Sequence, residues 1–496
     1  MEPKPIIPEF YDCKKVLITG ATGFIGKVMI WKLLQSCPNI DTIYVLIRAK
    51  WGKSDEQRLE ELFHFPIFDN FKKNNPEILK KVALIQGDMQ QKDLNLSESD
   101  RRKLQDEITV VFHIAAVLKM NATLKEAVEM NVEATMTLLN ICTSMRNLKV
   151  FVYVSTTYCY CDKDVTDNKV YPAKNSPDEI IKLVRCLDSE LLEKMTPDII
   201  KPHPNTYTYS KRLAENVVSD FYPRLPVVIA RPSTVISSHK EPFPGFVDNM
   251  NGVVGIMIAV GKGVLRSIYA VPDYPADLIP VDNVCNGLVA LAWEVAENKE
   301  KQDSLPVYNI CLSRDEIPTW GELMKFSYNV YLKCPLSIIL WYPSVTMNKY
   351  KPIHIISTLL FQWIPAYLID FLMMLLGYER ILVRVQRKIA LGCNLLTYFS
   401  SRAWRFDNSN VIRLRNSMNT SDQAIFPVNP KVIDLADREL FMYKSLIFAR
   451  EFILKEDNGN IPRSIRNLKI LYVLHCVVRI LFYSSIFWMI YKICNF

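Results

Sequence analysis

Tyr207 and Lys211 stand four residues apart in the run Tyr207-Thr208-Tyr209-Ser210-Lys211. On a helix, positions i and i+4 share a face, so the phenol and the amine lie side by side. An ammonium beside a phenol favours phenolate and lowers a pKa that starts near 10. Proton transfer to a carbonyl oxygen at neutral pH needs such an acid. Tyr209 is the competing tyrosine, but it sits two residues from Lys211 and faces elsewhere. Upstream, the apolar run KVFVYVS leads into Ser155, Thr156 and Thr157, and a hydroxyl from Ser155 or Thr156 could polarise the same carbonyl. A lone Y-x-x-x-K is also an ordinary amphipathic helix pair; the neighbouring motifs give it weight.

The second chemical feature is a glycine turn. The run KKVLITG passes into Gly20-Ala21-Thr22-Gly23-Phe24-Ile25-Gly26 and then into the helix-like KVMIWKLLQS. Glycines at this spacing let backbone N–H groups approach a pyrophosphate, and the helix N-terminus adds favourable partial charge. The expected cofactor contacts are Gly20, Thr22, Gly23, Phe24, Ile25 and Gly26. The next apolar run, TIYVLIR, ends in Arg48, with Lys50 and Lys53 close behind. A cation there suits the 2′-phosphate of NADPH, where an NAD site would carry an acid. An exposed strand-end arginine is the plainer alternative. Gly87-Asp88 ends KVALIQGD, where the carboxylate could accept from the adenine amino group or simply sit in a solvated turn. Arg231, Pro232 and Ser233 end the run PVVIARP near the expected nicotinamide position, with Pro232 and Ser233 expected to touch the cofactor through backbone.

The elements that must hold these residues alternate. Short Val- and Ile-rich runs separated by helical stretches continue from Lys14 to about Val295. Continuous apolar strands between helices imply an α/β, Rossmann-type doubly wound parallel sheet, covered on both faces. In such sheets ligands bind at the carboxyl ends of the strands, where all the residues above fall. His113, inside an apolar strand, reads as a core imidazole. His203 precedes the tyrosine motif and is assigned no role. Asn131, at the start of NVEATM, could support a proton relay or cap a helix.

Composition bounds the rest. Apolar residues make up 49% of 496 positions and the net charge is +8, mild and diffuse. That excludes a disordered chain and a nucleic-acid footprint, and suits an anionic ligand or membrane surface. Twelve scattered cysteines without a C-x-x-C pair argue for reduced thiols and against zinc. Towards the C-terminus the pattern turns mainly helical. Ile355 to Leu376 is long enough to span a bilayer, or to form a buried or interfacial hairpin broken at Pro365. Ile470 to Tyr491 follows the basic Arg463, Arg466 and Lys469 and reads as a C-terminal membrane anchor with cytosolic basic flanks. His475 and Arg479 interrupt it, a central arginine costing about 2.5–3.5 kcal/mol on insertion scales. The expected organisation is a nucleotide-binding and catalytic domain at 1–345, a helical domain at 346–462 and an anchor at 463–496.

With these motifs in hand, the chain resembles the extended short-chain dehydrogenase/reductases. Within them it is similar to the alcohol-forming fatty acyl-CoA reductases, particularly the insect type. TGATGFIGKVMIWKLL, VYVSTTY, HPNTYTYSKRLAE, RPSTVISSHKEPFPGFVDNMNG and IPAYLIDFLMMLLG follow that family in order, so the resemblance covers nearly the whole chain. Two positions depart: Met120 stands where an aromatic is usual, and IDLADRELFMYK lacks the usual Trp after its Ile-Asp. The resemblance implies reduction of a long-chain acyl-CoA to a primary alcohol with two NADPH. Tyr207 with Ser155 or Thr156 would stabilise the oxyanion, and Lys211 would tune Tyr207 and hold the nicotinamide ribose. It further implies an intracellular membrane with the catalytic domain in the cytosol. The endoplasmic reticulum is the first expectation, and the peroxisome stays open although Cys494-Asn495-Phe496 is no Ser-Lys-Leu address. A steroid- or sugar-nucleotide-active enzyme on the same fold, and a non-catalytic NADPH-binding scaffold, are the alternatives.

Overall fold

The computed structural model describes residues 3–48, 52–298, 304–428, 433 and 437–494. The chain forms two compact units. The first takes its described residues from Met1–Phe243, Asp277–Ile317 and Trp404–Val432, the second from Pro244–Ala276, Pro318–Ala403 and Ile433–Phe496. These units do not coincide with the sequential blocks 1–345, 346–462 and 463–496. Strand pairing is the reason: Leu278–Pro280 pairs with Thr234–Ile236, and Val307–Ile310 joins the main sheet, so the chain must return to the first unit after residue 276.

The first unit is built on seven strands: β1 (Lys15–Thr19), β2 (Thr42–Ile47), β3 (Val82–Gln86), β4 (Val110–His113), β5 (Val150–Val154), β6 (Val227–Pro232) and β7 (Val307–Ile310). Their spatial order is β7-β6-β5-β4-β1-β2-β3, and every pairing is parallel. The strand order reverses between β1 and β4, which is where a doubly wound sheet opens a crevice for a ligand. Helices α1 (Phe24–Ser36), α2 (Ala134–Cys142), α3 (Thr206–Asp220) and α4 (Val281–Glu297) flank the sheet. On one face Leu138, Leu139, Leu213 and Val217 pack on Leu17, Val111, Phe151 and Ile229. Residues of β5, β6 and α4 are buried, as continuous apolar strands covered on both faces require.

The second unit holds a parallel two-stranded pair, Ser267–Tyr269 with Thr346–Asn348. Its helices include α5 (Lys351–Leu375), α6 (Leu382–Ser400) and α7 (Ile461–Cys494). Lys351–Leu375 and Asn458–Cys494 are each long and apolar enough to cross a membrane.

Candidate active site

Helix α3 carries the catalytic candidates because of how it starts. Asn205 caps it, its Oδ1 accepting from the Thr208 backbone N–H at 2.9 Å, which satisfies one orphan donor of the first turn. Tyr207 and Lys211 then fall on one face, against the end of β5. The Lys211 amine is fully buried and donates to the Val154 carbonyl at 2.6 Å. It also lies 4.2 Å over the ring of Tyr153, a residue that feels the charge of Tyr207 as well. Burial pulls the Lys211 pKa down to about 7, with Glu215 and Cys159 opposing it.

The surroundings of Tyr207 act against the expected acidification. Its pKa is raised, first by burial and then by Cys159. Burial acts on the partly exposed phenol while the Lys211 amine donates to a main-chain carbonyl. Tyr209 faces away as expected, its hydroxyl accepting from Asn175 at 2.9 Å.

Sequence reasoning missed Glu215, one turn beyond Lys211. It is completely buried, paired with Arg231, and accepts from Tyr160 at 2.8 Å and from the Cys159 thiol at 3.2 Å. Burial would raise its pKa, but the Arg231 charge and bonds from Arg231, Ser155 and Tyr160 win and lower it. Ser155 is therefore tied to this carboxylate, and its hydroxyl also lies 3.9 Å from Cys159. Thr156, next along, accepts from the Tyr158 N–H at 3.3 Å, and a hydroxyl used as acceptor keeps its own proton to donate. The signal for Glu215 was its i+4 spacing from Lys211; its partner Arg231 is distant in sequence, so only the fold reveals the pair.

Asn131 sits in a wider, i+5-bonded turn at Glu129–Glu133. Such a bulge often re-aims a side chain at a functional site. Its amide accepts from Val117 N–H at 2.8 Å and donates to Ser210 Oγ at 2.9 Å, so it ties the loop after β4 to α3. His113 is a core residue, held between the hydroxyls of Thr19 (2.7 Å) and Thr135 (2.9 Å). Burial, with some help from Lys211, lowers its pKa to about 3, so it stays neutral. His203 is buried and pairs with Thr208 at 3.3 Å.

The glycine turn lies at the switch point. Gly20 has φ +75°, and a Cβ there would come within 2.7 Å of the Ala115 nitrogen on the loop after β4. A Cβ on Gly26 would lie 2.3 Å from the Gly20 carbonyl oxygen. Gly23 caps α1 without a side-chain acceptor, so the first-turn N–H groups at Phe24 and Ile25 are not claimed by a capping side chain. A turn this tight, where any side chain at Gly20 or Gly26 would collide with backbone, leaves main chain at the head of α1 and fits a dinucleotide pyrophosphate.

Arg48, at the end of β2, donates to Gln90 at 2.5 Å and lies 3.5 Å from Asp88. Asp88 also accepts from the Gln90 N–H at 3.0 Å, closing its own turn. Arg58 is a further cation that sequence reading passed over. It donates to the Arg48 carbonyl at 2.5 Å and approaches Thr22 Oγ1 at 3.4 Å, linking the β2 end to the glycine turn. Lys53 pairs with Glu61 instead, and Lys50 lies outside the described residues. Pro232 closes β6. The Ser233 N–H donates to Ile310, and its hydroxyl donates to Asp277 Oδ1 at 2.7 Å. Burial raises the Asp277 pKa to about 7, against the Ser233 and Leu312 bonds.

A glycine turn at the switch point and a Tyr-Lys helix against the end of β5, two strands away, give a doubly wound nucleotide-binding fold with its candidate site at the sheet's carboxyl edge. Comparison with known proteins narrows the class. Residues 18–288 match an NAD-binding family model described as male sterility protein, and residues 361–456 match a second model, Sterile, with the same description. The chain is 36% identical to the fatty acyl-CoA reductase wat of Drosophila melanogaster, over 98% of this chain and 92% of that one. It is 35% identical to human fatty acyl-CoA reductase 1, over 93% and 89%. Among solved structures, the terminal R domain of the myxalamid biosynthetic pathway shares the fold at TM-score 0.57 and 18% identity, covering 88% of this chain and 90% of that one. The chain belongs to the fatty acyl-CoA reductase family. It is an oxidoreductase with a nicotinamide-dinucleotide-binding domain.

Proposed function

We propose that the protein reduces long-chain fatty acyl-CoA to the primary alcohol, consuming two NADPH and two protons and releasing coenzyme A. The observation that carries this reading is the Tyr207–Lys211 face of α3 set against the end of β5, two strands from the glycine turn. NADPH supplies hydride in each half-reaction; the rest is the work of side chains. As the thioester carbonyl is attacked, Tyr207 and Thr156 donate to the developing oxyanion, which is stabilised by donors already in place. Collapse breaks the C–S bond, and thiolate leaves with a proton from solvent. The aldehyde that remains accepts the second hydride, and Tyr207 gives its proton to the alkoxide. Ser155, engaged with Glu215, serves to position the strand end. Lys211 would hold the nicotinamide ribose, and its charge would favour proton release from Tyr207. Arg48 and Arg58 together favour the 2′-phosphate, which supports NADPH over NADH. Helix α7 anchors the chain in an intracellular membrane, the endoplasmic reticulum before the peroxisome, where acyl substrates partition.

The test is product analysis of microsomal protein given NADPH and palmitoyl-CoA. Fatty alcohol with two NADPH consumed is the expected result. Turnover of a steroid or sugar nucleotide alone would replace this reading.

A further inference from the structure

Helix α5 is inside out. Its polar side chains Gln362 and Asp370 are buried at 6% and 4% exposure, while Leu368, Phe371, Leu372 and Leu376 stand 53–71% exposed. At 100° per residue the exposed apolar positions from Ile364 to Leu376 span more than half the circumference. A protein partner covers a stripe; hydrocarbon surrounds a helix.

The second unit pins this helix along its length. Gln362 Oε1 accepts from the Arg266 and Ser267 N–H groups at 2.6 and 3.1 Å, and His354 meets the Ser267 hydroxyl at 2.8 Å. Asp370 caps α6, accepting from Ile381, Leu382 and Val383 at 2.9–3.1 Å. Gln386, in the first turns of α6, donates to the Val264 carbonyl at 2.8 Å, and Ser400 at its far end donates to Tyr269 at 3.2 Å. Both helices therefore return to the segment Val264–Tyr269. Beyond Gln362, the last α5 residue bonded to that segment, Trp363–Leu375 extends for about 20 Å of helix, short of a hydrocarbon core of about 30 Å.

Charge identifies what the apolar arc meets. Lys349 and Lys351 at one end, and Arg380, Arg384, Arg387 and Lys388 at the other, are all exposed. That suits anionic headgroups ringing an inserted apolar face. The surface continues into α7 through the Phe361–Phe482 ring contact at 5.5 Å.

We propose that Lys351–Ser400 is a hairpin seated in one leaflet of an anionic bilayer, with its tip on the side it entered from, and that only α7 crosses. This rests on the membrane reading above. The experiment uses the full chain in sealed microsomes, with Glu379→Cys at the hairpin tip and the exposed native Cys186 as sidedness marker. A membrane-impermeant maleimide is expected to modify the tip of Glu379→Cys as readily as Cys186 without permeabilisation. In vesicles of phosphatidylcholine and phosphatidylserine, a nitroxide on Leu368→Cys, corrected for the parent chain's signal, is expected to be relaxed by oxygen and shielded from a polar nickel complex. Modification of the tip only after permeabilisation would show α5 crossing, overturning the hairpin while keeping the membrane reading. Relaxation by nickel on bound vesicles would remove lipid as the occupant. A chain that stays in solution beside such vesicles would remove the membrane reading itself.

Discussion

Glu215 and Arg231 form a two-point ion pair, Arg231 Nε to Oε1 at 2.9 Å and Nη2 to Oε2 at 2.7 Å, and neither side chain reaches solvent. Through Glu215 the pair touches Cys159, Tyr160 and Ser155, and it lies one turn from Lys211 on α3. Breaking one half of a buried pair typically costs about 3–5 kcal/mol, whereas replacing both halves by apolar residues is often neutral. Glu215→Gln is therefore expected to lower the thermal midpoint clearly. Glu215→Leu combined with Arg231→Met should recover much of that stability while turnover stays depressed, because Ser155 and Lys211 have lost their carboxylate. If activity returned along with stability, Glu215 would be a packing element alone.

Tyr207→Phe removes the hydroxyl that delivers the proton and leaves the ring. Turnover is expected to fall by about 100-fold or more, the usual scale of a lost general acid, while NADPH binding followed by its fluorescence stays near that of the parent chain. Wild-type kcat in this variant would refute the mechanism.

Arg48→Ala and Arg58→Ala each delete a cation near the proposed 2′-phosphate. A charge-assisted hydrogen bond is worth about 1.5–3 kcal/mol, so NADPH affinity should drop by roughly 10- to 100-fold with NADH little changed. Titration of both cofactors into both variants decides it, and equal losses would eliminate the phosphate-clamp role.

Asp277 gives stability a pH signature. Its pKa is about 7 in the fold and near 3.9 unfolded. The folded state therefore binds the extra proton between these values, and stability falls as pH rises through that window, by a few kcal/mol at most. Asp277→Asn can still accept from Ser233 and Leu312 but does not titrate. Its stability advantage over the parent chain should be larger at pH 8 than at pH 5, measured by thermal midpoint. An equal difference at both pH values would mean that the carboxyl ionises normally.

Much of this was legible in the linear pattern. Alternating apolar runs and helices led to the parallel sheet, because strands buried on both faces must be apolar throughout. The strand–turn–helix around the glycines, His113 as a core residue and the direction of Tyr209 were local matters of spacing, and the structure has all three. Domain boundaries were not legible: Leu278–Pro280 and Val307–Ile310 belong to the first unit through pairings that no local composition announces.

Sequence alone determined which residues share a helix face, which glycines a phosphate could approach and which segments are apolar enough to meet lipid, since these follow from periodicity, steric size and transfer energy. Tertiary structure decided the electrostatics. Lys211 found the Val154 carbonyl, burial raised Tyr207, and Arg231 reached Glu215, because desolvation and pairing depend on what surrounds a group in space.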